Sequence, residues 1–78
     1  MSDVDVVRRT RALLETLSER ERSAAVNRLP DDWPEGVWRA FREAGLCETV
    51  DITPPGGEPR TRQRLHPAAL AALAELRR

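Results

Sequence analysis

At Gly45 the hydrophobic pattern of the chain changes period, and this switch constrains the fold more than any other feature. Upstream, apolar residues recur at helical spacing. Downstream, residues 46–53 alternate, with Leu46, Glu48, Val50 and Ile52 on one side and Cys47, Thr49, Asp51 and Thr53 on the other. Strict alternation marks a strand, whose successive side chains point to opposite faces. Pro54, Pro55, Gly56 and Gly57 then supply a chain reversal. In residues 58–65, Arg60, Arg62 and Arg64 point one way while Thr61, Gln63 and Leu65 point the other. The two runs predict a β-hairpin.

Three helices are predicted before this hairpin. Residues 4–17 place Val6, Thr10, Leu13, Leu14 and Leu17 on one stripe, with Asp3 or Asp5 as the cap. Ser18 and Glu21 form an S-x-x-E capping box that opens a second helix. That helix is expected to reach about Leu29, burying Ala25, Val26 and Leu29, and to stop at Pro30 because a residue before proline avoids the helical region. Asp32 and Glu35 repeat the capping pattern, with Pro34 in the first turn, where a missing N–H costs nothing. The third helix, about 33–44, should bury Val37, Trp38 and Phe41. Gly45 suits the position just past its end, and Leu46 would then touch Phe41 in a Schellman ending. A last helix opens near Pro67, with Leu70, Leu73 and Leu76 inward and Arg77 and Arg78 at its negative end. His66 is placed to cap it. The expectation is one domain over residues 1–78, mainly α with one β-hairpin (α+β), in the order α-α-α-β-β-α.

Bulk composition excludes several classes of function. With 78 residues the chain can build one modest core. Its 13 basic residues, all Arg, balance 13 acids. Residues 1–35 hold 6 Arg against 8 acids and residues 36–78 hold 7 against 5, so any basic face must come from local clustering. Cys47 is the only cysteine, which excludes a disulfide framework. No apolar run approaches the length of a membrane span, and the N-terminal residues lack an apolar signal segment, so a cytoplasmic location is expected.

Residues 33–78 resemble the second half of a winged helix-turn-helix domain of the MarR or PadR type. A recognition helix in those families ends in a Gly-Leu pair, as Gly45-Leu46 does here. A hairpin wing with a glycine-containing tip and arginines follows, as in residues 47–65. A Leu-Thr-Pro-like junction opens the next helix, matched at two of three positions by Leu65-His66-Pro67. The chain departs from that pattern in having no clear short strand between its first two helices and no net charge. The resemblance implies duplex DNA binding and a role in transcriptional control. Arg39 and Arg42, off the Val37–Trp38–Phe41 stripe, would lie in or near the major groove, where Arg pairs bidentately with guanine. Arg60, Arg62 and Arg64 would hold phosphates.

Other readings weigh against these. Arg39 and Arg42 sit beside Glu35 and Glu43, as on an ordinary solvated helix face. Arginines along a strand also protect its exposed edge from aggregation. Trp33, Trp38 and Phe41 at helical spacing read as core rather than as a stacking platform for single strands. Cys47 and His66 are too few soft ligands for zinc, and Asp31-Asp32 reads as capping. No nucleophile–base pair or phosphate loop is in view, so no catalytic residue, metal or cofactor is expected, and the chain is not expected to be an enzyme. The Ala-Leu surface of the last helix either covers the core or, with the first helix, forms a homodimer seam. The alternative to DNA binding is a protein-docking module of the same fold, using the wing edge or the last helix.

Overall fold

The computed structural model describes residues 2–77. Among these residues, four α-helices, α1 (Asp3–Thr16), α2 (Glu19–Asn27), α3 (Glu35–Glu43) and α4 (Pro67–Leu76), surround one end of a hairpin made of β1 (Cys47–Asp51) and β2 (Thr61–Leu65). The α-α-α-β-β-α order of an α+β fold is thus present.

Local chemistry accounts for most boundaries. α1 is capped by Ser2, one residue earlier than the expected acids: its hydroxyl accepts from the Asp5 N–H and donates to the Asp5 carboxylate. Ser18 caps α2 as expected, its hydroxyl accepting from the Glu21 N–H, but it donates to the Glu21 carboxylate, so among the described residues the return bond of a full capping box to the Ser18 N–H is absent. The stripe of α1 faces inward, with Val6, Thr10 and Leu14 buried and Leu13 and Leu17 half-buried. Thr10 tolerates full burial because its hydroxyl donates to the Val6 carbonyl at 2.8 Å. At the C-terminal end of α3, Gly45 has φ +74°. Its N–H donates to the Arg42 carbonyl and the Leu46 N–H to the Phe41 carbonyl, both at 3.0 Å, completing the Schellman motif.

The connection between α2 and α3 departs from expectation. α2 ends at Asn27 with Arg28 already extended, and Leu29 is 62% exposed rather than buried. Pro30–Asp32 form a turn of 3-10 helix that takes Asp32 away from the start of α3, so α3 has no side-chain cap among the described residues and Pro34 occupies the capping position. The tryptophans hold this connection instead. The Trp33 indole N–H donates to the Arg28 carbonyl at 3.1 Å and the Trp38 indole N–H to the Pro30 carbonyl at 3.0 Å. Trp33 packs against Phe41 with ring centroids 4.8 Å apart and against Trp38 at 5.1 Å.

One core cluster joins all four helices to the base of the hairpin, with Val6, Phe41, Leu46 and Leu73 fully buried. α4 lies on α1, and it turns Ala69, Ala72 and Leu73 inward, not Leu70 and Leu76. Positions three apart drift off a 3.6-residue period, and small alanines let α1 come close. One face of the Ala-Leu surface, Ala69, Ala72 and Leu73, therefore covers the core within the chain, while Leu70 and Leu76 stay exposed. Arg77 ends α4 through its backbone N–H, which donates to the Ala74 carbonyl, while its side-chain Nε donates to the Val26 carbonyl at 2.6 Å, in the last turn of α2. Arg78 lies outside the described residues. His66 caps α4 as expected, its Nδ1 accepting from the Ala68 N–H at 3.1 Å.

Candidate nucleic-acid interface

The hairpin is built by pairing Cys47 with Leu65, Glu48 with Arg64, Thr49 with Gln63, Val50 with Arg62 and Asp51 with Thr61. Both strands are shorter than the alternation suggests. β1 ends where the Asp51 carboxylate accepts from the Thr53 N–H and hydroxyl, and Thr53 Oγ1 in turn accepts from the Arg60 N–H at 3.1 Å. This clasp closes the loop below its tip. At the tip, Pro55 and Gly56 form the centre of a type II turn, with Gly56 at φ +74° and the Gly57 N–H on the Pro54 carbonyl. The two hydrogen bonds from Thr53 also hold the Asp51 carboxyl below its usual pKa.

Only the base of the hairpin joins the core, through Leu65 and the half-buried Cys47. Burial raises the Cys47 thiol pKa, against a smaller opposite pull from the Arg42 guanidinium. From Asp51 outward the arm is solvated, with residues 51–64 all exposed.

The five arginines singled out from the sequence are all exposed, but they are not equally free. Arg42 pairs with Glu35, two turns earlier on α3. Arg64 pairs with Glu48 across the hairpin at 2.9 Å, and Arg62 reaches Asp31 in the 3-10 turn at 3.5 Å. Arg39 on α3 and Arg60 at the outer end of the hairpin have no carboxylate partner among the described residues. The three pairs are surface pairs, each worth about 0–1 kcal/mol, so they hold the guanidinium groups only weakly. Elsewhere, Arg22 and Arg77 donate to carbonyls at helix ends.

Glu48 and Asp31 as partners of the hairpin arginines were not singled out from the sequence. Glu48–Arg64 follows from the hairpin register once that is known. Asp31–Arg62 joins residues 31 positions apart, and no local pattern announces it. No protein-family model, curated protein or solved structure matches the chain. Among the described residues, no helix is long and apolar enough to cross a membrane.

Proposed function

We propose that this chain is a small winged-helix protein that binds duplex DNA and acts in transcriptional control. The observation that carries the reading is the solvated hairpin arm, with Arg60, Arg62 and Arg64 at alternate positions of one strand and its outer flank. Alternate residues of a strand lie about 6.6 Å apart, a spacing that allows successive contacts along a phosphate backbone. Arg60, without an ion-pair partner among the described residues, meets phosphate first. Arg62 and Arg64 follow by exchanging carboxylate for phosphate. Arg39 and Arg42 extend the contact onto α3.

Fluorescence anisotropy against a random-sequence duplex, at low and at physiological salt, tests this. Binding should weaken steeply with salt, and Arg60→Glu should lower the slope of log affinity against log salt by about 1. Absence of binding at low salt refutes the proposal, because even non-specific binders associate there.

A further inference from the structure

Two of the large apolar side chains left exposed, Leu29 and Leu70, are 41% or more exposed and line one groove of about 380 Å³. Pro30, Trp38, Leu65 and Pro67 complete its apolar lining, and Arg62, Arg64 and Asp31 stand around it. An apolar groove with polar groups at its rim, running beside a strand edge, is the form in which added peptide strands are recognised. One wall of the groove is β2, and the outer edge of β2 is open, because the sheet has only two strands among the described residues.

The register identifies which backbone groups that edge offers. The bonds flanking the ladder, Ile52 N–H to the Arg60 carbonyl and His66 N–H to the Leu46 carbonyl, make 52/60 and 46/66 hydrogen-bonded pairs. By the alternation of an antiparallel ladder, Arg62 and Arg64 also turn their backbone groups toward β1, while Thr61, Gln63 and Leu65 turn theirs outward. The edge therefore presents the N–H and C=O groups of the exposed Thr61 and Gln63 beside an apolar groove, with Leu65 buried at its inner end.

A second copy of this chain is a poor occupant. Any antiparallel pairing of two β2 edges through the outward groups joins even-numbered residues to even-numbered ones. In the register that overlaps the two strands fully, Arg62 of one copy stands directly opposite Arg64 of the other, and a slip by one step either way sets Arg62 against Arg62 or Arg64 against Arg64. Like charges opposite one another are unfavourable, and such placement protects an edge from self-pairing. The same pattern favours a strand carrying carboxylates at those positions. Asp31 holds Arg62 only at 3.5 Å, with both side chains mostly exposed, so it is readily displaced.

We infer that the outer edge of β2 and the adjoining groove form a docking site for an extended acidic segment of another protein, with carboxylates at alternate positions and a large apolar side chain seated between Leu29 and Leu70. The segment adds a third strand to the sheet. This inference does not depend on DNA binding.

The test uses a blocked synthetic peptide alternating Glu with Leu and Val, titrated into the full chain without DNA, with the indole N–H resonance of Trp38 as readout. Saturable binding that shifts this resonance is expected, and a peptide with Lys in place of Glu should bind about tenfold more weakly or worse. Gln63→Pro should weaken binding by a similar factor while leaving the fold intact, since the Gln63 N–H is outside the ladder. Leu70→Glu, at an exposed position, should do the same by filling the groove with charge. Equal binding of both peptides, absence of saturable binding, or indifference to both variants overturns the inference. A concentration-dependent dimer in sedimentation that Gln63→Pro abolishes also overturns it, in favour of self-pairing.

Discussion

Replacing Gly45 with alanine should lower the midpoint of thermal unfolding by about 4–16 °C, and the cost should be purely conformational. Gly45 sits at φ +74°, where an added Cβ would meet nothing nearer than Arg9 Nη1 at 3.9 Å, an ordinary contact. No clash therefore contributes. What remains is the left-handed backbone itself, which costs an L-residue with a Cβ about 1–2 kcal/mol. For a domain of this length each kcal/mol moves the midpoint by about 4–8 °C. The backbone cannot escape by relaxing, because Leu46, the next residue, is fully buried and its N–H is held by the Phe41 carbonyl. Gly45→Asn should cost less, since asparagine tolerates this region better. Gly56 provides the control: it has the same φ and open space around it, but its turn is solvated and can rearrange, so Gly56→Ala should cost less than Gly45→Ala. Differential scanning calorimetry on the three variants decides the matter. A Gly45→Ala midpoint within about 2 °C of the parent would refute the argument that the end of α3 depends on a left-handed residue.

Phe41→Ala removes a fully buried ring that packs on Trp33, and should destabilise by about 3–5 kcal/mol. Chemical denaturation followed by tryptophan fluorescence would measure it, and a loss under about 1 kcal/mol would show that the ring is not central to the core. Cys47 gives a pH dependence of defined sign. Folding favours its neutral thiol, because burial raises its pKa. The associated stability is complete below the unfolded thiol pKa and is lost as pH rises through the higher folded value. Unfolding measured across the alkaline range should show this loss in the parent and not in Cys47→Ser.

What could be read from the sequence was set within a few residues of itself. The Ser18 cap, the Schellman ending at Gly45, the His66 cap and the reversal after Thr53 each join groups no more than about five positions apart, and residue type alone favours them. The inward stripe of α1 was legible for the same reason, since its positions keep one face of a 3.6-residue period. Even here the competition was local: Ser2 displaced the two acids as cap of α1, and the 3-10 turn withdrew Asp32 from α3.

Tertiary packing decided the rest. Leu70 and Leu76 have more apolar surface to bury than Ala69 and Ala72, yet the alanines face inward beside Leu73, because packing of α4 on α1 sets which face of the helix is covered. Leu29 was left in solvent by the early end of α2, and only the folded chain brings it beside Leu70. The five arginines were visible as residue types, but which of them keep an unpaired charge depends on Asp31, Glu35 and Glu48 meeting them in space. By itself the sequence determined the helices, most of their ends and the hairpin, because those rest on neighbours along the chain. The inward face of α4, the groove beside β2 and the charge pattern around it arise from contacts between distant segments, whose geometry exists only after the core has closed.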